Sequence, residues 1–291
     1  MLINKLVIFG VGLIGGSFAL ALREAGAVRE IVGVGRSAGN LAEALRLGVI
    51  DRVAVDAASA VQDADLVMLA VPVGQMAAVM ASIAPHLSAQ TVVTDAGSTK
   101  CDVVALARQH LSSHLARFVP AHPIAGAEKS GAAAASAELY RRRNVVITPM
   151  SGGDPAAVSM VRAMWENCGA TVREMTPQAH DEVFAAVSHL PHLLAFALVE
   201  DIASRSNSEE LFSYAASGFR DFTRIAGSSP EMWRDICMAN RTALLKELEV
   251  YQAQLDRLHA MLEQADGAAL EQVFSHASAA RNKWLSQKIS D

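Results

Sequence analysis

Residues 6–17 decide the fold: Leu-Val-Ile-Phe-Gly-Val-Gly-Leu-Ile-Gly-Gly-Ser is a short apolar run that breaks into glycines. Residues 5–9 suit a strand that is buried on both faces, as in a parallel sheet. Apolar residues then resume at helical spacing over residues 18–23. A Gly-x-Gly-x-x-Gly turn between a strand and a helix predicts a site for the pyrophosphate of a dinucleotide. The alternative is a plain glycine-rich turn of an α/β domain.

Each glycine of this turn has its own predicted task. Gly10 allows the tight turn, Gly12 lets the backbone approach a phosphate, and Gly15 lets the helix pack closely on the strand. The amides of Leu13 and Ile14, at the positive end of the helix dipole, are predicted to face the anion. We refer to these five residues as the phosphate-binding turn.

Composition and charge exclude several classes of protein. With 291 residues, of which 52% are hydrophobic, the chain has enough material for one or two domains. A net charge of -5 gives no reason to expect nucleic acid or an anionic membrane as partner. The three cysteines are isolated, which indicates neither a metal site nor a disulfide framework. Because no leader and no apolar run long enough to span a bilayer is evident, we expect a cytoplasmic protein.

Strands and helices alternate until about residue 176, and only helices follow. Strands are predicted at 5–9, 30–35, 65–71, 91–95, 117–121, 145–148 and 171–175, the last two closing the sheet. Helices are predicted at about 179–205, 209–226, 231–263 and 270–287, with Pro191 kinking the first. The pattern predicts a Rossmann-type, doubly wound, mainly parallel α/β domain at residues 1–176 and an all-α domain at 177–291. The long apolar stripe of 236–262 predicts a homodimer.

Two further segments bear on the cofactor. An NAD site usually has an acidic residue about 20 residues after the glycine turn, whereas this chain has Arg36 and Ser37 there. A guanidinium and a hydroxyl suit a 2′-phosphate, so NADP is favoured, with NAD as the alternative. Val71 and Pro72 end a predicted central strand, where a loop would pass over the cofactor.

Two polar residues follow strands at the same predicted sheet edge. Ser98 lies where a strand gives way to a helix, and His122 leaves the next strand. We expect His122 to act on a reacting group, while Ser98 is either a site residue or only a helix cap. Glu128 and Lys129 follow in the same loop, and from spacing alone they suit a solvated pair.

The helical half contains two polar clusters. His189 and His192 are three residues apart, but no third ligand has suitable spacing, so we expect substrate contact or core hydrogen bonding and no metal. Arg220 and Arg224 are four apart on one helix face, with Asp221 beside them to orient one of them. Such an arginine would serve a net-acidic protein that binds an anion.

Together these segments resemble the prephenate/arogenate (cyclohexadienyl) dehydrogenase family. The matching segments are 10–17, 95–100, 122–131, 188–192, 219–226 and 232–235, in family order. The resemblance implies oxidative decarboxylation of prephenate to 4-hydroxyphenylpyruvate, or of arogenate to tyrosine, with hydride transfer to a nicotinamide. It leaves the choice between the two substrates open, and inhibition by tyrosine would have to act at the active site.

The same resemblance implies roles for single residues. His122 would be the base for the ring hydroxyl, with Ser98 hydrogen-bonded to it or to that hydroxyl. Arg224 would bind a substrate carboxylate. The other implied positions are His189 and His192 in the pocket lining, Asp221 and Trp233 in the gate and its surroundings, and Glu128 and Lys129 in the loop that closes over the ring.

Two other functions fit the pattern. A β-hydroxyacid dehydrogenase or an imine reductase also pairs a nucleotide-binding domain with a helical dimerising one. A nucleotide-sensing regulatory protein without turnover would need the phosphate-binding turn but not His122 and Ser98 at the sheet edge. Assays with prephenate, arogenate and short hydroxyacids separate the three.

Overall fold

A computed structural model describes residues 2–127 and 129–289, except the side chains of 288 and 289. The backbone divides into two compact units, Met1–Arg241 and Thr242–Asp291. The strands are β1 Ile3–Phe9, β2 Val28–Val34, β3 Arg52–Val53, β4 Leu66–Leu69, β5 Val92–Asp95, β6 Phe118–Val119, β7 Ala121–Pro123, β8 Asn144–Ile147 and β9 Thr171–Glu174.

The helices follow the predicted order with more interruptions. They are α1 Leu13–Glu24, α2 Ala38–Arg46, α3 Ala57–Val61, α4 Met76–Ile83, α5 Cys101–His110, α6 Pro155–Asn167, α7 Pro177–Phe184, α8 Leu190–Ala203, α9 Ser208–Ser213, α10 Ser217–Thr223, α11 Pro230–Ala239, α12 Arg241–Glu263 and α13 Gly267–Ile289. Short 3₁₀ helices include Val73–Gln75, Ala132–Ala134 and Arg224–Gly227, and a π-helical segment covers Ala185–His189.

A parallel sheet forms the centre of the first unit. Its strand order is β3-β2-β1-β4-β5-β6, and every neighbouring pair is parallel. The chain therefore builds outward on one side of β1 and then on the other. The carboxyl ends of β1 and β4 meet where the order reverses, which is where doubly wound sheets bind ligands. The predicted Rossmann-type fold is confirmed.

The last predicted strands do not close this sheet, so that part of the prediction is wrong. β7, β8 and β9 form a separate three-stranded sheet, in which β7 and β8 are antiparallel and β8 and β9 parallel. Pro120 stands between β6 and β7 and has no amide hydrogen to donate to a ladder. Its carbonyl instead accepts from the Thr148 amide at 2.9 Å, so the chain passes from one sheet to the other at this residue.

Burial on both faces explains why β1 is apolar throughout. Leu6 and Ile8 belong to one core cluster with α1, α6 and the second sheet. Val7 and Phe9 belong to another, which includes residues of α3, α4, α5 and α11. Alternate side chains of a strand point to opposite faces, so each face of β1 has its own core.

The helical half departs from the predicted long helices at two places. The helix predicted at 209–226 is divided into α9, α10 and a 3₁₀ turn, and that at 231–263 is interrupted at Asn240. Asn240 turns its side chain inward, where its amide donates to the Asp181 carbonyl at 2.7 Å. Pro191 lies in the first turn of α8, directly after the π-helical segment. The local break there agrees with the missing proline amide.

The domain boundary predicted at residue 176 marks a change of pattern within the first compact unit. Trp233 and Ile236 of α11 pack in the same cluster as Val73 and Met76 of the Rossmann-type region. This packing joins α7–α11 and the parallel sheet in one unit. The domain boundary at residue 176 therefore stays a prediction.

One helical stretch in the described residues, Pro177–Ala203, is long and apolar enough to cross a membrane by length and composition. The expectation that no such run exists is therefore wrong. This stretch carries buried His180, Asp181 and His189, whose polar atoms bond to other parts of the first unit. These bonds tie the buried side of the stretch to the first unit, because polar groups inside a folded core are satisfied in this way.

Candidate active site

The phosphate-binding turn has the geometry that its glycines predict. Gly10 has a φ of +93°, and a Cβ there would lie 2.4 Å from the Ala70 carbonyl oxygen. A Cβ on Gly15 would lie 2.4 Å from the carbonyl oxygen of Gly10. Around Gly12, by contrast, nothing lies within 4 Å of a Cβ position, so its outer face is open. The turn is therefore tightly packed at Gly10 and Gly15, and it has free space for a ligand at Gly12.

The start of α1 offers its amides to that open side. Gly12 is the N-cap, and no side chain caps the helix. Leu13 and Ile14 are only partly buried, and the positive end of the helix dipole lies at these amides. Val71, beside Gly10, and exposed Pro72 border the turn. These residues fit the pyrophosphate of a dinucleotide cofactor.

The loop after β2 is tied to the same turn. Ser37 is the N-cap of α2, and its hydroxyl accepts from the Asn40 amide at 3.2 Å. The Asn40 side chain in turn donates to the Val11 carbonyl at 2.6 Å. Arg36 is exposed, and no ion pair joins it to a described residue. Arg36 is therefore open to a ligand anion beside the turn.

A buried ion pair holds the strand that carries His122. Lys100 Nζ lies 2.5 Å from Asp95 Oδ2, and both side chains are fully buried. Lys100 also donates to the Ala121 carbonyl at 2.7 Å, while Asp95 accepts from the Ala121 amide at 3.0 Å. The pair thus fixes both backbone groups of the residue before His122. Partly exposed Ser98 lies in the loop between its two members.

His122, in β7, lies in a cluster of aromatic rings. Its Nδ1 is 2.8 Å from His180 Nε2, and the Phe184 ring contacts it edge-on at a centroid distance of 4.8 Å. Burial lowers the pKa of His122 well below 6.5, and the neighbouring basic groups His180, Lys100 and His189 add to this effect. The ring is therefore neutral at neutral pH, and a neutral imidazole has one nitrogen that can accept a proton.

His180 and Asp181 are site residues that the sequence analysis missed. His180 Nδ1 lies 2.8 Å from Asp181 Oδ1, and the Asp181 carboxylate accepts from the amides of Lys100 and Cys101, each at 2.8 Å. Burial opposes ionisation of Asp181, but these hydrogen bonds outweigh it and lower its pKa. An adjacent His-Asp pair was the one available sequence signal. Its partner His122 is 58 residues away, so spacing could not connect them.

His189 and His192 lie near each other but in different surroundings. His189 is buried, accepts from the Asn240 side chain at 3.0 Å, and has a pKa that burial lowers to about 4. His192 Nδ1 bonds to the Ser188 carbonyl at 2.9 Å, and its ring stacks on Trp233 at a centroid distance of 3.6 Å. The described residues contain no group of three potential metal ligands.

The residues predicted to bind an anion are exposed, as is Lys129 of the loop after β7. Arg224 is exposed, and its charge is one of the factors, after burial, that affect the lowered pKa of His192. Asp221 is exposed, and its Oδ1 lies 3.6 Å from Arg220 Nε. Glu128 lies outside the described residues.

Comparison with known proteins identifies this arrangement. Residues 18–174 match the family model "Prephenate dehydrogenase, nucleotide-binding domain", and residues 176–276 match "Prephenate dehydrogenase, dimerization domain". The chain belongs to the prephenate dehydrogenase family. The two matches support a nucleotide cofactor and the predicted homodimer.

Individual relatives agree over nearly the whole chain. Prephenate dehydrogenase of Bacillus subtilis is 37% identical over 94% of this chain and 74% of its own length. Cyclohexadienyl dehydrogenase of Zymomonas mobilis is 35% identical over 96% of this chain and 95% of its own. A crystal structure of prephenate dehydrogenase from A. aeolicus, in complex with hydroxyphenyl propionate and NAD+, matches with a TM-score of 0.91 and 36% identity, over 97% of this chain and 99% of that one.

Proposed function

We propose that this dehydrogenase catalyses the NAD(P)+-dependent oxidative decarboxylation of prephenate to 4-hydroxyphenylpyruvate, of arogenate to tyrosine, or of both. The observation that carries the proposal is the placement of a neutral His122 next to Ala121, whose amide bonds to Asp95 at the carboxyl end of β5. β5 belongs to the parallel sheet that also carries the phosphate-binding turn, at the carboxyl end of β1. A neutral imidazole there is suited to take a hydroxyl proton during hydride transfer. Assays with prephenate, arogenate and short hydroxyacids test the reaction, and turnover of hydroxyacids alone would contradict it.

In the proposed reaction, His122 is the only group that takes up and returns a proton. A bound nicotinamide supplies the acceptor for hydride from the ring carbon that bears the hydroxyl. His122 takes the hydroxyl proton as the carbon–oxygen double bond forms. The bond between ring and carboxylate then breaks, carbon dioxide leaves, and the electron pair makes the ring aromatic. His122 returns its proton to the ring oxygen, which becomes the phenol.

Other side chains are assigned to binding. We propose that the Ser98 hydroxyl bonds to His122 or to the substrate hydroxyl, and that Arg224 holds a substrate carboxylate. The remaining proposed positions are His189 and His192 in the lining, Trp233 and Asp221 around the mouth, and Glu128 and Lys129 in the covering loop. Stacking of His192 on Trp233 supports a rigid wall beside Arg224.

Replacing Arg224 with Ala is expected to raise the KM for prephenate about 100-fold and to leave kcat within a few-fold. The reason is that a carboxylate held equally in the ground and transition states contributes to binding alone. Steady-state kinetics of Arg224→Ala check this, with Arg220→Ala as the control, since Arg220 is four residues away and also exposed. A loss confined to kcat would contradict the assignment.

Tyrosine is proposed as an inhibitor at the same carboxylate site. Its ring and carboxylate resemble those of the product, so it should compete with prephenate and not with the cofactor. The Arg224→Ala variant should then lose sensitivity to tyrosine along with affinity for prephenate. Noncompetitive inhibition, or undiminished inhibition of the variant, would contradict a shared site.

NADP+ is proposed as the preferred cofactor because of Arg36 and Ser37. Arg36 is exposed beside the phosphate-binding turn, and no carboxylate stands in the loop with it. Replacing Arg36 with Ala should lower kcat/KM for NADP+ about 10-fold or more, because a bidentate phosphate contact is lost, while the value for NAD+ stays within about twofold. Arg29→Ala, at the opposite end of β2, is the control. Equal effects on both cofactors would contradict the role of Arg36.

We propose that the enzyme is a cytoplasmic homodimer. In the second unit, α12 and α13 carry exposed Leu255, Leu262 and Phe274, which a second copy would cover. Replacing Phe274 with Asp is expected to convert the dimer to monomers, as measured by sedimentation. Val55→Asp is the control, because Val55 is 97% exposed but lies in the first unit. A variant that remains dimeric would exclude Phe274 from the interface.

A further inference from the structure

The side chains of His122, His180 and Asp181 form a hydrogen-bonded line. His122 Nδ1 lies 2.8 Å from His180 Nε2, and His180 Nδ1 lies 2.8 Å from Asp181 Oδ1. His180 is completely buried and Asp181 is 4% exposed, so water does not provide alternative partners. The line leaves His122 Nε2 as the ring nitrogen outside it.

The positions of the hydrogens along this line follow from Asp181. Its carboxylate accepts from the amides of Lys100 and Cys101 at the start of α5, where the helix dipole also favours a negative charge. An ionised carboxylate can only accept, so His180 Nδ1 must carry a hydrogen. A neutral His180 then has its lone pair on Nε2, and the hydrogen between the two rings must belong to His122 Nδ1.

We propose that His180, oriented by Asp181, is a positioning residue that holds His122 in the tautomer with its lone pair on Nε2. This proposal rests on the proposed function for the identity of the proton that His122 accepts. In the opposite tautomer, Nε2 would carry a hydrogen and could not take the hydroxyl proton. The ionised Asp181 also stabilises the positive charge that His122 acquires, through the polarised His180 ring.

A purely structural role for His180 makes a different prediction. Its ring also packs against Phe184 at a centroid distance of 4.5 Å, so it could serve only to fill space. His180→Phe keeps an aromatic ring but removes the acceptor, while His180→Gln places an amide oxygen where it can accept from His122 Nδ1. If His180 only fills space, His180→Phe should keep a higher kcat than His180→Gln. If His180 controls the tautomer of His122, His180→Gln should keep the higher kcat.

Kinetics of the two variants separate these roles. We expect His180→Phe to lower kcat with prephenate about 100-fold, and His180→Gln to stay within about 10-fold of the wild type. The KM for prephenate and the Kd for the cofactor should change less than about twofold in both, because His180 is completely buried. A wild-type kcat in His180→Phe, or equal losses in the two variants, would overturn the proposal.

Nitrogen NMR of histidine-labelled enzyme tests the tautomer without any substrate. The His122 signal is assigned by its loss in His122→Asn, and the His180 signal by its loss in His180→Gln. We expect both rings to carry hydrogen on Nδ1 in the wild-type protein. A hydrogen on Nε2 of His122 would overturn the proposal even if prephenate is turned over, and the expected tautomers would stand even if prephenate is not the substrate.

Discussion

The His122→Asn variant is expected to lose about 1,000-fold in kcat with prephenate and to bind the cofactor within about twofold of the wild type. General bases contribute roughly 10² to 10⁴ to a rate, and asparagine cannot take the proton from the ring hydroxyl. The residue before His122 bonds to Asp95 of β5, whereas the phosphate-binding turn follows β1, and β4 lies between β1 and β5. Loss of His122 should therefore affect the chemical step and spare cofactor binding.

Steady-state kinetics and a cofactor titration on the same preparation measure the two effects. His86→Asn is the matched control, because His86 is an exposed histidine of the same unit that lies outside the ring cluster. It should retain wild-type kcat and cofactor affinity. Unchanged turnover in His122→Asn would remove this residue from the catalytic role, and a loss of cofactor affinity alone would reassign it to binding.

The Lys100→Met variant is expected to lose about 3 to 5 kcal/mol of unfolding free energy. Methionine is close to lysine in size, so the change removes the charge with little change in packing. Asp95 would remain fully buried without its cation, and the Ala121 carbonyl would lose a donor. An uncompensated buried charge costs several kcal/mol, which accounts for the expected size of the loss.

Urea denaturation at one fixed protein concentration measures this loss, since the stability of a dimer depends on concentration. The control is Arg46→Met, which breaks the exposed pair with Glu43 on α2 and should cost less than about 1 kcal/mol. Equal losses in the two variants would show that the Lys100 pair contributes no more than a surface pair. In that case another feature must hold β7 beside β5.

The parts of the fold that the sequence predicted are those with local signals. The phosphate-binding turn is specified by a few adjacent residues. A side chain on Gly10 would collide with Ala70, a side chain on Gly15 would collide with Gly10, and Gly12 faces open space. His122 was predicted to follow a strand of the parallel sheet, but it lies within β7 of the second sheet, beside the end of β5. These inferences required only the order of strands and the common direction of a parallel sheet.

The parts that were missed depend on contacts between distant segments. The polar side chains of α7 are buried because they bond to β7 and to the start of α5. The residues around His180 in the sequence give no sign of these distant partners. The chain passes to the second sheet at Pro120, and the partner strands β8 and β9 of that sheet lie more than 20 residues further along the chain. The pairing of Asp221 with Arg220 was likewise one of two choices that spacing left open.

The most direct test of the account measures carbon dioxide and reduced cofactor from prephenate, using the wild-type enzyme and His122→Asn side by side. If His122 handles the hydroxyl proton in an oxidative decarboxylation, the wild type should release the two products one to one. The variant should lose both together by about 1,000-fold. Reduced cofactor without carbon dioxide, or equal yields from the two proteins, would contradict the account.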